Sequence, residues 1–316
     1  MTLLLANLQF ALSITAPIFI LLTLGVLLKQ LNILTDAFIE SGSKIVFTVA
    51  LPVLLFTSIV QTPTDQAHDL ALILYATLAT LTVYILLEVL AHYWIQPPAD
   101  RGVIVQGAFR SNMGIIGLAY CLNAYGTAGV AAASLYVGLV TIVFNVLAVI
   151  TLSRSLQREG GLSKTLTGIA KNPFIIAIVL ALMVSGLGWK LPPLLVQTGD
   201  YLAKMALPLA LLCTGGALSF KALRLESHNT LLATLMKAVI VPLLITAIGA
   251  LLGFKGMSLG ILFLMTSAPT AAASYIMVRA MGGNAVLAAN IIALTTLASI
   301  LTTSLGITIL KGLELM

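Results

Sequence analysis

Charge is scarce in this chain: Asp, Glu, Lys and Arg together make up 8% of its 316 residues, against about 25% in a soluble domain. That shortage excludes an ordinary water-soluble fold. Cysteine is nearly absent as well. Cys121 and Cys213 both lie in apolar stretches, without CxxC or Cys/His spacing, which excludes a disulfide scaffold and a zinc site and leaves both as core bulk. Paired aspartates, His/Glu metal spacing and a Ser/His or Ser/Lys pair at membrane depth are all missing, so an enzyme is not expected and no metal or cofactor is implied. The net charge of +6 is spread among short loops with no aromatic interleaving, a pattern that argues against nucleic acid as a partner. The first ten residues, MTLLLANLQF, carry no basic n-region, so the first apolar segment is expected to stay as a span.

What fills the chain instead is apolar sequence, 60% of all residues. A bilayer core about 30 Å thick is crossed by about 20 apolar residues in a helix, and runs of that length recur from end to end. Cutting at polar and Gly/Pro-rich breaks predicts an all-α integral membrane protein of ten transmembrane helices. They centre near Phe19, Val49, Ala79, Ser111, Thr141, Ile178, Leu209, Thr246, Pro269 and Ser299. The longest polar connection, Ser153 to Asn172, splits the chain into a first five-helix unit (1–152), a cytoplasmic linker (153–172) and a second unit (173–316).

The two units match at one offset. Pro17 and Pro173 are 156 positions apart, as are Pro52 and Pro208, and Ala50-Leu51-Pro52 repeats as Ala206-Leu207-Pro208. YGTAGVAAAS from Tyr125 lies over MGGNAVLAAN from Met281 at the same spacing. An odd number of spans per unit makes the second enter the membrane from the opposite side, so an inverted repeat is expected. With the N-terminus outside, Lys29, Arg101, Arg154, Arg158, Lys164, Lys171, Lys221, Arg224 and Arg279 collect inside, against Lys190, Lys255 and Lys311 outside. That distribution predicts a cell (plasma) membrane protein with both termini outside.

One stretch breaks the apolar pattern of the fourth span: FRSNMGIIG, residues 109–117. Arg110 lies roughly 13 Å along a helix from Arg101, near the middle of the bilayer, and intramembrane charges mark substrate paths. Asn112, Gly114 and Gly117 loosen the helix. At the 156 offset Met113 falls on Pro269, in MTSAPTAAASY of the ninth span, where Pro269 removes a donor and Thr266, Ser267 and Thr270 can satisfy freed groups. Paired broken helices point to a transporter binding site. Half-helix N-termini and an Arg fork together favour a carboxylate, so the expected ligand is a small organic anion held by Arg110, Asn112, Gly114, Pro269 and Thr270. The competing reading pairs Arg110 with Glu88 as a tie between helices. Glu88, Lys237, Asn145 and Asn290 are supporting or coupling candidates, and Glu40/Lys44 and Asp200/Lys204 have helix ion-pair spacing. A channel or sensor that binds an anion without coupled transport is the alternative function.

VALPVLLF from Val49, SNMGIIG from Ser111, KNPFIIA from Lys171, MALPLALLCTGG from Met205, KAVIVPLL from Lys237 and SAPTAAASY from Ser267, in this order, resemble the auxin efflux carrier family over essentially the whole chain. The resemblance implies a fold like that of bile acid:sodium symporters, with the fourth and ninth spans crossing at their breaks. It implies a scaffold domain (spans 1, 2, 6 and 7), a transport domain (spans 3, 4, 5, 8, 9 and 10) that moves as an elevator, and a homodimer in the lipid bilayer. The family's crossover asparagine corresponds to Asn112 and its ninth-span proline to Pro269. Relatives commonly carry Pro after this Asn-x-Gly motif, whereas this chain has Leu118-Ala119, so the fourth-span break is expected to rest on Gly114 and Gly117.

Overall fold

A computed structural model describes residues 2–61, 70–156, 173–189, 191–218 and 228–316. Arg158, Lys164, Lys171, Lys190, Lys221 and Arg224, used above to orient the chain, lie outside the described residues, as does nearly all of the expected linker. The described residues are helical, and their one β-type contact is an isolated bridge. The helices are α1 (Thr2–Gln30), α2 (Asp36–Gln61), α3 (Leu70–Trp94), α4 (Arg101–Phe109), α5 (Leu118–Ser155), α6 (Pro173–Gly186), α7 (Pro193–Ala217), α8 (His228–Leu251), α9 (Gly256–Ser267), α10 (Ala273–Ala280) and α11 (Ala285–Gly312).

Six segments of the described residues are long and apolar enough to cross a membrane, and two shorter apolar helices, Ile176–Gly186 and Gly256–Ser267, accompany them. The Met113–Ser155 segment has 43 residues, roughly 65 Å if straight, which is twice a bilayer core. It does not run straight. Gly126 has φ 65° and ψ −154° and divides α5 into two arms; only glycine adopts that backbone without strain. Gly282, 156 positions later, has φ 74° and separates α10 from α11. Other boundaries follow the same shift: Asp36–Gln61 moved by 156 gives 192–217, against Pro193–Ala217 for α7.

Capping and proline chemistry explain local details. Thr35 accepts from the Phe38 amide at 3.2 Å to start α2, and Asn284 accepts from Leu287 at 3.1 Å to start α11, each satisfying an otherwise orphaned donor. Pro52 and Pro242 cannot donate to the turn before them. That turn opens in each case to a π-helix, Val46–Ala50 in α2 and Met236–Ile240 in α8.

α1 packs on α7 and α11, and α2 on α6 and α7. Contact between α1 and α7 is close because glycines face backbone. A Cβ at Gly25 would lie 3.0 Å from the Gly216 nitrogen, and one at Gly215 would lie 2.8 Å from the Leu22 carbonyl carbon. Small residues allow such approach where apolar lipid supplies no hydrophobic drive to associate. α3, α4 and α5 pack together, and α8 contacts α9 and α11. Many large apolar side chains point outward, such as Leu251 (87% exposed) and Leu301 (69%), as expected of surfaces facing lipid tails. Exposed Trp94 and Trp189 sit at the ends of α3 and α6, where aromatic rings mark membrane interfaces.

Neither expected helix ion pair is formed among the described residues. Asp200 accepts instead from Gln61 Nε2 at 3.0 Å, and the two ion pairs present are Lys29–Asp36 at 2.5 Å and Arg154–Glu88 at 3.7 Å. At exposed helix ends water competes for both charges, so spacing alone does not hold a pair.

Candidate functional site

α4 ends at Phe109, after nine residues, and α9 ends at Ser267, after twelve. At 1.5 Å per residue these are roughly 13 and 18 Å long, too short to cross a bilayer alone. Each is followed by non-helical backbone, and the two interruptions meet. The Asn112 amide donates to the Pro269 carbonyl at 2.7 Å, and the Ala271 amide donates to the Arg110 carbonyl at 3.1 Å. Ser111 and Thr270 thus form the antiparallel bridge. Backbone groups freed inside a membrane must find partners within the protein, and here each break supplies them for the other. Pro269 fits because it contributes only its carbonyl.

Side chains satisfy the remaining helix ends. Thr270 Oγ1 donates to the Gly107 carbonyl at 2.6 Å, capping the last turn of α4, while the Thr270 amide donates to Thr295 Oγ1 at 3.2 Å. The carbonyl of Asn112 accepts from the Ile116 and Gly117 amides at 3.1 and 3.0 Å, opening the π-helical turn Met113–Gly117 that leads into α5. The fourth-span break therefore begins at Arg110–Asn112, ahead of the glycines expected to carry it. Gly117 serves packing: a Cβ there would lie 2.8 Å from Met265 Sδ on α9. The helix stops where the opposite break offers hydrogen bonds, and glycine flexibility is not what ends it.

Next to the breaks lies a cavity of about 440 Å³. Arg110, Ser111, Asn112 and Gly114 line one side, Ala271–Ala273 another, and Ser43, Phe47, Thr141, Phe144 and Thr214 complete the walls. Asp36 and Glu40 lie at its mouth, the Asp36 side chain being 95% exposed. Two helical starts, at Met113 and Ala273, border it, and the positive dipole ends of such starts favour an anion.

Arg110 is 6% exposed. Its Nη2 donates to Asn145 Oδ1 at 2.6 Å, and Nη1 points at Met277 Sδ at 3.7 Å, which also takes Gln106 Nε2 at 3.5 Å. Glu88 pairs with Arg154 instead, so the competing Arg110–Glu88 tie is not formed. Glu88 lies on α3 nearer the helix end, beside the chain segment that carries Arg154. Arg110 is thus a buried guanidinium held by a neutral amide, with no carboxylate partner among the described residues.

The residues expected to bind the anion separate into two groups. Arg110, Asn112 and Gly114 line the cavity, and the Asn112 side chain makes no hydrogen bond to the described residues. Pro269 and Thr270 hold the breaks together from behind. Of the supporting candidates, Asn145 contacts Arg110. Asn290 is buried on α11, and its Oδ1 has no partner among the described residues. Lys237 is fully buried and donates to the Thr266 carbonyl at 2.8 Å and to Ser111 Oγ. Sequence reasoning missed the walls contributed by α2 and α7, because apolar helices do not reveal which face is turned inward. It also missed Met277 and Gln106, which ordinary composition conceals.

The sequence is also similar to known proteins. The chain matches the sequence profile of the family described as membrane transport protein over residues 10–307. A protein from Methanothermobacter thermautotrophicus is 27% identical over 259 residues, covering 80% of this chain and 83% of the relative. Another from Methanocaldococcus jannaschii is 24% identical over 260 residues, covering 80% and 84%. Both bear the description of uncharacterized transporters. With its several apolar helices this is a multi-pass membrane protein, and the chain belongs to the membrane transport protein family.

Proposed function

We propose that the chain is a secondary transporter of a small organic anion, working by elevator-type alternating access around the paired breaks. The observation that carries this is Arg110: a buried guanidinium on the cavity wall, bordered by two helix starts, with a neutral partner only. Removing such a cation from water without a counter-charge is costly, and a carboxylate ligand offsets that cost with charge-assisted hydrogen bonds. The cavity volume suits a small ligand, and its walls are mainly apolar. One cation within and two acidic groups at the mouth disfavour a second carboxylate. The substrate class that follows is a monocarboxylate with an apolar or aromatic body, in preference to a compact dicarboxylate.

The same reading takes the chain as ten spans in two inverted five-helix repeats, with the fourth and ninth crossing. Boundaries that recur at 156 positions, and the left-handed Gly126 and Gly282 at that spacing, support it. Spans 1, 2, 6 and 7 form a scaffold, through which a homodimer assembles, and the remainder moves with the anion. Both termini lie outside the cell membrane, and Asn112 and Gly114 shape the site beside Arg110.

The test is binding of purified protein to mono-, di- and aromatic carboxylates, followed by counterflow in proteoliposomes. Wild type is expected to bind and exchange an aromatic monocarboxylate, and Arg110→Ala and Asn112→Ala to lose binding while remaining folded. Unchanged affinity in both variants sinks the proposal, as do single-channel currents or binding without flux.

A further inference from the structure

Lys237 is the one lysine among the largest fully buried side chains of the described residues. It sits on the π-helical turn Met236–Ile240 of α8, and such turns often mark functional positions. Its Nζ donates to the Thr266 carbonyl and to Ser111 Oγ, and Ser111 Oγ in turn lies 3.3 Å from the Thr266 carbonyl. Thr266 is in the last turn of α9, so the ammonium lies at the negative end of that half-helix. Ser111 is the middle residue of the facing break.

Among the described residues no carboxylate balances this charge. The acidic residues among those described are Asp36, Glu40, Glu88, Asp100, Asp200 and Glu314; none is buried, and the two ion pairs present use Arg154 and Lys29. An apolar side chain at this position would avoid the desolvation penalty of a buried ion. In transporters with broken helices, C-terminal ends of half-helices and unwound carbonyls are where coupling cations are held. Here that place is taken by an ammonium on the chain itself.

We infer that Lys237 is a resident cation that positions the two breaks against each other, so that the anion site forms without an inorganic cation from solution. Lys237 does not line the cavity; it acts through Ser111, which does. The inference rests on the proposed anion site for its meaning, but its test needs no anion. Thermal melting is measured for wild type, Lys237→Ala and Lys237→Gln in choline, sodium and methylammonium chloride at equal ionic strength. Wild type is expected to melt at one temperature in all three salts. Lys237→Ala is expected to melt several degrees lower in choline and to recover in methylammonium or sodium, whereas Lys237→Gln, whose amide fills the space without charge, stays low in all. Two results overturn the inference: a sodium-specific rise in wild type, or an equal deficit for Lys237→Ala in every salt, which would make the side chain mere packing. If Lys237→Ala does not fold, the wild-type sodium titration still decides. Failure of every carboxylate to bind would count against the transport reading alone and leave this result standing.

Discussion

The Asn112 amide donates to the Pro269 carbonyl at 2.7 Å, joining two chain interruptions that stand far apart in sequence. Each break is stable only because the other completes its hydrogen bonds, and Thr270 connects both to the end of α4 through the Gly107 carbonyl. Thr270→Val keeps the shape and removes the donor. A buried carbonyl left unpaired costs about 1–3 kcal/mol, so the variant is expected to melt several degrees lower, with Thr270→Ser close to wild type. Equal melting of the Val variant would show that the bond contributes nothing.

Arg110 should govern affinity and leave stability largely alone. A hydrogen bond to a charged group contributes about 1.5–3 kcal/mol, which is on the order of 10- to 100-fold in Kd. Arg110→Ala is expected to weaken aromatic monocarboxylate binding by at least that much, measured by calorimetry. Arg110→Lys should recover only part, since an ammonium cannot offer the planar fork.

Asn145 presents a neutral oxygen to the guanidinium at 2.6 Å. Asn145→Asp would place a carboxylate there and satisfy Arg110 internally, in competition with the ligand. Its affinity for the anion is expected to fall further than that of Asn145→Ala, although the latter removes more atoms. The reverse order, read from the two Kd values, would mean that Asn145 orients Arg110 without any role for charge balance.

Much of this architecture is legible in the residues themselves. Apolar runs locate the membrane segments because nothing else needs such length, and Pro269 and Asn112 mark the breaks because one lacks a donor and the other suits freed backbone. The start of the fourth-span break is not legible, because it depends on donors from a segment more than 150 positions away. Glycines at 114 and 117 drew attention as weak points, while the helix had already ended at Phe109. Ser43 and Thr214 were invisible as cavity residues for a related reason: α2 and α7 are apolar on several faces, and only packing chooses the inner one. Lys237 could be placed at depth by counting, but its partner, the Thr266 carbonyl, is a backbone atom that no side-chain motif announces.

Close packing of α1 on α7 yields a separate prediction. Gly215→Leu must push α1 away, since even a single carbon there meets the Leu22 backbone. Overpacking of this kind typically costs about 1–3 kcal/mol. A lower melting temperature is expected, with anion affinity of the folded fraction unchanged, because neither Gly215 nor Leu22 lines the cavity. A large loss of affinity at normal stability would instead couple this helix contact to the site.

The mouth of the cavity tests orientation. Asp36 and Glu40, at the start of α2, lie there, and the proposed topology, with both termini outside, would turn that end of α2 toward the cytoplasm. In a Cys121→Ser/Cys213→Ser background, Ser43→Cys or Thr214→Cys places one thiol on the cavity wall. A membrane-impermeant maleimide is expected to label it in inside-out vesicles and to spare it in intact cells. Benzoate, as an aromatic monocarboxylate probe, should slow labelling wherever Arg110 is present, and lose that effect in Arg110→Ala. Labelling from the outer face would reverse the topology while leaving the site in place. Protection by benzoate that survives Arg110→Ala would move the anion away from the breaks altogether.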